Sequence, residues 1–152
     1  MQTLSHSTKL LLVDDDPSMV RLLAKIIDRS FGDRMELHSL TNPKEARCWI
    51  EHNLAEILVT DLEMPHVNGL ELLRCAKRKN PCAQVLFVTG HSTLETLSDA
   101  LELGATDYLL KPLDQAELVA LLEDTEKRLR RWRAALAGTA AARHAWPAAA
   151  SN

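Results

Sequence analysis

Four sites in this 152-residue sequence combine reactive side chains with positions at the end of an apolar run. Asp14, Asp15 and Asp16 follow Lys9–Val13, Asp61 follows Ile57–Thr60, Thr89-Gly90-His91 follows Gln84–Val88, and Lys111-Pro112 follows Tyr108–Leu110. Asp16 has a local use as a helix cap ahead of Pro17, whereas Asp14 and Asp15 have none. Adjacent carboxylates repel, and the remedies are a raised pKa or a bound cation. Asp61, taken alone, is a turn former; placed beside Asp14 and Asp15 it completes a hard oxygen-donor set that suits Mg²⁺. A hydroxyl at Thr89 and an ammonium at Lys111 converging on the same carboxylate complete what phosphoryl transfer to it requires, because charge builds on three equatorial oxygens.

These residues meet only if the chain places the four run ends at one edge. Five apolar runs, Lys9–Val13, Met35–Leu40, Ile57–Thr60, Gln84–Val88 and Tyr108–Leu110, read as strands. Several show little polar alternation, as expected of strands covered on both faces. The segments between them have helical period: Met19, Leu23 and Ile26 share a face, as do Ala46, Trp49 and Ile50, Leu70 and Leu73, Leu94, Leu97 and Leu101, and Leu118, Leu121 and Leu122. Asp16-Pro17 and Asn42-Pro43 read as helix starts, and Gly69 and Gly104 fall in connections. Strict strand–helix alternation predicts an α/β fold, a five-stranded doubly wound parallel sheet of flavodoxin-like order 2-1-3-4-5 with right-handed crossovers. That order sets the first and third strands side by side, so Asp61 emerges next to Asp14 and Asp15, in the crevice where such sheets bind ligands.

The length fits one domain of about 150 residues with a short appendage. With 46% hydrophobic and 26% charged residues, the chain is not wholly disordered. The formal net charge of −3 conceals a division. Residues 1–126 hold 12 basic and 21 acidic side chains, and residues 127–152 hold six basic ones and no acid. No apolar run approaches the roughly 20 residues of a membrane span, and Met1–Thr8 lacks a signal peptide's apolar stretch, so a cytoplasmic protein is expected. Cys48, Cys75 and Cys82 lack metal-ligand spacing and read as reduced thiols.

Val13-Asp14-Asp15-Asp16-Pro17, Asp61-Leu62-Glu63-Met64-Pro65 with Gly69, Val88-Thr89-Gly90-His91 and Tyr108-Leu109-Leu110-Lys111-Pro112 together resemble the receiver domain of bacterial two-component response regulators. The resemblance covers about residues 8–125 and implies a signalling module in a phosphorelay, not a turnover enzyme. It implies that Asp61 accepts a phosphoryl group from a sensor histidine kinase or phosphotransfer protein. Asp15 would bind Mg²⁺ directly, Asp14 mainly through water, and the Glu63 backbone carbonyl would complete the protein ligands. Lys111, with a cis bond to Pro112, would pair with Asp61 and then with phosphoryl oxygens. Thr89 and Tyr108 match the family's switch pair: Thr89 is drawn toward the phosphoryl group and Tyr108 turns inward, reshaping the face of the fourth helix, fifth strand and fifth helix for an unidentified protein target. Glu63 and His91 match positions that tune phosphoryl lifetime, and Gly90, lacking a side chain, leaves the acceptor open. His66 in the turn reads as solvated. A metal-dependent phosphatase of the haloacid dehalogenase type is disfavoured, since no second Asp stands two positions after Asp61.

Beyond the resemblance, Leu118, Leu122, Thr125, Leu129, Trp132 and Leu136 keep one face at spacings of four and three. This predicts a helical extension over 126–138 that covers its seam against a second copy or an output module, followed by an Ala-rich flexible tail over 139–152 with Trp146 as an anchor. Lys127-Arg128-Leu129-Arg130-Arg131-Trp132-Arg133 reads as a solvated helix face pairing in part with Glu123, Asp124 and Glu126; the alternative is a small regulator whose basic helix contacts nucleic acid. The tail is too short for a helix-turn-helix module. The chain is therefore expected either to dock its switch face on a partner or to be the receiver end of a longer regulator.

Overall fold

The structure, a computed structural model, describes residues 6–144, with side-chain surroundings as far as Thr139. Strands β1 (Thr8–Val13), β2 (Met35–Leu40), β3 (Ile57–Thr60), β4 (Gln84–Thr89) and β5 (Asp107–Leu110) alternate with helices α1 (Pro17–Phe31), α2 (Pro43–His52), α3 (Gly69–Lys79), α4 (Leu94–Glu102) and α5 (Gln115–His144). All strand pairs are parallel and the order is β2-β1-β3-β4-β5, the flavodoxin-like arrangement expected.

Period-two alternation divides the sheet residues between two cores. Leu11, Val13, Leu58, Val85 and Phe87 pack under α2, α3 and α4; Leu10, Leu12, Ile57, Val59, Leu86 and Val88 pack under α1 and α5. Leu10 to Val13 are wholly buried, which is why their run lacks polar alternation. Each such side chain contributes about 1.5–3 kcal/mol of burial. The helices start as their cap residues dictate: Asp16 accepts from Ser18 N–H and Asn42 from Lys44 N–H, both at 2.9 Å, with Pro17 and Pro43 opening α1 and α2. All three cysteines are free.

The seam of α5 is covered differently from the expectation. Leu118, Leu122, Thr125 and Leu129 are at most 2% exposed because the domain's own α1-side core covers them. No second copy is needed for that stretch; the heptad-like spacing reflects packing against a flat layer, which asks for the same stripe as a coiled coil. Only Trp132 and Leu136 remain, about half exposed. The helix also runs through His144, past the expected end at 138, in keeping with the helix propensity of its alanines. Trp146 lies outside the described residues.

Ion pairs fasten this helix. Arg133 pairs with Glu56 and donates to Thr8 Oγ1 at 3.3 Å, while Arg34 clamps Glu123 at 2.8 Å and also Glu126. Hydrogen bonding from Arg34 holds the Glu123 carboxyl below the usual range. A depressed carboxylate pKa stabilises the fold above its unfolded value, and the contribution disappears as pH falls through the folded one. Arg34→Ala is therefore expected to cost about 1 kcal/mol at neutral pH, a modest value because Arg34 and Glu123 are solvent-screened. Urea denaturation should show that cost shrinking toward pH ~3, where carboxylates protonate.

Candidate functional site

Register places the four reactive strand ends together. Val13 pairs with Thr60, and the ladder runs one residue further as Asp61 N–H donates to Val13 O at 3.2 Å, so Asp14 and Asp61 leave the sheet as neighbours. On the other side Thr89 pairs with Leu110, and Lys111 N–H donates to Thr89 O at 2.9 Å. The Lys111–Pro112 peptide is cis.

Ligating oxygens of Asp14, Asp15 and Asp61 all lie within 4.8 Å of one another. Lys111 Nζ bridges two of them, donating to Asp14 Oδ2 at 2.8 Å and Asp61 Oδ2 at 3.0 Å. The remaining oxygens take backbone donors: Asp14 Oδ1 accepts from Asp16 N–H at 2.9 Å and Asp61 Oδ1 from Glu63 N–H at 3.3 Å. Three carboxylates against one ammonium leave an excess of negative charge. Burial pushes the Asp14 carboxyl up, only partly offset by hydrogen bonds from Lys111 and Asp16 N–H. Burial alone lowers the Lys111 ammonium, but its hydrogen bonds and charge attraction to Asp14 and Asp61 outweigh this and its pKa ends above that of an ordinary lysine. Lys111→Met strands the buried Asp14 and is expected to cost about 1–2 kcal/mol, less than for a fully buried pair because Lys111 is one-fifth exposed. Thermal melting with added Mg²⁺ should recover much of that loss.

The loop after Asp61 is fixed by the core beneath it. Leu62, Met64 and Val67 are buried, so the loop is pinned to the core at three points. Val67 N–H donates to Pro65 O at 2.9 Å in a three-residue turn with exposed His66 at its apex, at φ 71°. Gly69 N–H donates to Leu62 O at 2.8 Å, and a Cβ on Gly69 would stand 2.2 Å from the Asp61 carbonyl oxygen. Spacing alone marked Gly69 as a connection; this close approach was not legible from it.

The other expected residues are distributed around the cluster. Thr89 is buried on β4 with its hydroxyl donating to His91 O at 2.9 Å. Tyr108, half-buried on β5, shares a hydrogen bond of 2.6 Å with Ser92 Oγ. Ser92 was not singled out in the sequence, where it belongs to no motif; only the fold shows it three residues past Thr89 and against the Tyr108 hydroxyl. His91 and Glu63 side chains are exposed, and a Cβ on Gly90 would lie 3.8 Å from the Lys111 stem, an ordinary contact.

A five-stranded sheet with three carboxylates and a lysine at its carboxyl edge defines a class, and comparison with known proteins gives the family. Residues 10–123 match the family model for the response regulator receiver domain. The chain is 34% identical over 122 residues to the response regulator protein PilR of Pseudomonas aeruginosa, a match covering 80% of this chain and 26% of that protein. Among solved structures it resembles a CheY-like receiver domain protein of Methanospirillum hungatei JF-1, with TM-score 0.75 and 25% identity over 83% of this chain and 99% of the other. It also resembles a response regulator protein from Burkholderia pseudomallei solved with a phosphorylated aspartic acid, calcium ion and citrate, with TM-score 0.68 and 25% identity over 84% of this chain and 74% of the other.

The chain belongs to the response regulator receiver domain family; it is a receiver domain of the two-component type. It spans 26% of the length of PilR and 30% of that of another curated relative, the phosphoglycerate transport system transcriptional regulatory protein PgtA of Salmonella typhimurium. No helix among the described residues is long and apolar enough to cross a membrane.

Proposed function

We propose that this receiver is a phosphorylation-controlled signalling module in which Asp61 accepts a phosphoryl group from a histidine kinase or phosphotransfer protein and is itself the thing modified, without substrate turnover. The observation that carries the reading is the Asp61 carboxylate held by Lys111 within reach of Asp14 and Asp15. An Asp61 carboxylate oxygen forms the new P–O bond, the donor's P–N bond breaks, and the imidazole leaves with a proton in place of phosphorus. Lys111, already aimed at Asp61, moves its hydrogen bond to a phosphoryl oxygen, and the Glu63 N–H stays close to the reacting carboxylate. The donor set fits Mg²⁺: the Asp14, Asp15 and Asp61 carboxylates and the Glu63 carbonyl would hold it, and when bound it supplies positive charge against the phosphoryl oxygens. The aspartyl phosphate and calcium ion in the Burkholderia pseudomallei relative support this reading.

The added group brings nearly two negative charges and strong acceptors. Thr89 then exchanges its bond to His91 O for one to a phosphoryl oxygen, and Tyr108 gives up Ser92 to turn inward, changing the α4–β5 surface read by a protein target. The shift is bounded by the difference in phosphoryl contacts between the two arrangements. Glu63, Gly90 and His91 flank the acceptor and set how readily water reaches it. A module fed by a phosphohistidine donor is proposed to work in the cytoplasm. Intact mass measurement after incubation with acetyl phosphate tests the reading: one added phosphoryl group is expected with Mg²⁺ and almost none with chelator, while equal uptake under both conditions contradicts it.

A further inference from the structure

Sulfur and imidazole side chains gather on α2, next to the loop that follows Asp61. Cys48 has no second cysteine at ligand spacing, but His52 stands four residues further along the helix, one turn away on the same face. Cys48 Sγ and His52 Nδ1 are 3.9 Å apart, and both side chains are exposed. His52 Nδ1–H donates to Cys48 O at 2.8 Å, which fixes the ring against the thiol.

A third donor comes from the loop. Cys48 shares a surface cavity of about 410 Å³ with His66, Lys44, Arg47, Glu51 and Glu71. The two basic and two acidic side chains there cancel in charge, and Arg47 is already paired with Glu51 at 3.7 Å. What the cavity offers a ligand is therefore a thiol and an imidazole rather than net charge. His66 is exposed at the apex of the loop, at φ 71°, a conformation that few residues with side chains adopt.

We infer that Cys48, His52 and His66 bind a zinc ion. Tetrahedral zinc with Zn–S of about 2.3 Å and Zn–N of about 2.0–2.1 Å sets sulfur and nitrogen about 3.5–3.6 Å apart. At 3.9 Å, Cys48 and His52 need little more than a small side-chain adjustment to reach that spacing. His66 swings in from across the cavity, and water fills the fourth position. The thiol gives its proton to solvent as it binds. The Nδ1 proton of His52 is exchanged through solvent for one on Nε2, which frees the Nδ1 lone pair and gives up the bond to Cys48 O. Thiolate and imidazole select a borderline-soft ion, whereas the oxygens of Asp14, Asp15 and Asp61 suit Mg²⁺, so the two clusters favour different metals. The zinc joins α2 to the loop that follows Asp61. Its binding does not depend on phosphorylation of Asp61.

Cobalt(II) titration of the full chain tests this, with a phosphine reductant and excess Mg²⁺ to occupy the acidic cluster. Co²⁺ stands in for Zn²⁺, and only a thiolate ligand gives the near-ultraviolet sulfur-to-cobalt charge-transfer band. Saturation at one Co²⁺ per chain with that band is expected, and added Zn²⁺ should bleach it. Cys48→Ser should abolish the band. His52→Gln and His66→Gln should each weaken binding at least about tenfold, since losing even a group that only orients a metal ligand costs about 10–100-fold. All three positions are exposed, so the variants should fold. Cys82→Ser, the control, should keep both band and affinity. A wild-type chain without the band, a band that survives Cys48→Ser, a control that loses it, or either histidine variant binding as the wild type does overturns the proposal.

Discussion

Asp61→Asn is expected to fold, to melt at higher temperature than the wild type without Mg²⁺, and to take up no phosphoryl group. The first two outcomes come from the excess of negative charge at the site. Asp14, Asp15 and Asp61 crowd within 4.8 Å of one another against one lysine. An amide at position 61 has one acceptor oxygen, so it keeps either the Lys111 or the Glu63 N–H bond and gives up the other, but it no longer repels Asp14. Relief of that repulsion is worth about 1 kcal/mol at an effective dielectric near that of a protein surface. That corresponds to a rise of about 2–4 °C in a chain of this size. The loss of phosphorylation is complete, since an amide oxygen is a poor nucleophile and its adduct has no stable acyl phosphate to collapse to. Mg²⁺ affinity, followed by Mg²⁺-dependent thermal shift, should fall at least about tenfold with one carboxylate fewer. An unchanged melting temperature together with unchanged Mg²⁺ response would mean that the cluster does not act as one electrostatic unit.

Gly69→Ala is expected to be the most damaging conservative change near the site. Its Cβ would sit 2.2 Å from the Asp61 carbonyl oxygen, 2.9 Å from Phe87 Cε1 and 3.0 Å from Leu62 Cα. Two of the three obstacles are backbone, and Phe87 is 1% exposed, so nothing swings aside. The start of α3 must move off the loop and lose the Gly69 N–H bond to Leu62 O. Overpacking of this kind costs about 2–4 kcal/mol, a large share of a typical 5–15 kcal/mol stability. Gly90→Ala is the control: its Cβ meets only the Lys111 stem at 3.8 Å, and a change within about 0.5 kcal/mol is expected. Denaturant midpoints for both variants check the pair, and equal effects would contradict the difference drawn between the two glycines.

Much of this is legible in the sequence, because the strongest signals are local. The unbroken apolar run Leu10–Val13 announces a strand covered on both faces, and alternation with amphipathic helices announces the parallel sheet. Given the sheet order, Asp14, Asp15, Asp61 and Lys111 had to meet at one edge. The α5 seam was misread for a physical reason: an apolar stripe shows that something covers it, not whether the cover is another chain or the same one. Leu129, within the extension over 126–138, found its cover in the α1-side core. The Ser92–Tyr108 bond and the Gly69 contact depend on angstrom-level approach between segments distant in sequence, which spacing does not encode. The pairing of Arg133 with Glu56 is likewise a product of where the helix lies across the sheet.

In the proposed function one carboxylate, that of Asp61, takes the phosphoryl group. Treating the full chain with acetyl phosphate and Mg²⁺, reducing any acyl phosphate with borohydride and mapping the peptides by mass spectrometry tests it at the level of the atom that reacts. Reduction at position 61 alone is expected, and none in Asp61→Asn. Reduction at Asp14, Asp15 or another carboxylate in the wild-type chain, or the same labelled peptide persisting in Asp61→Asn, would contradict it.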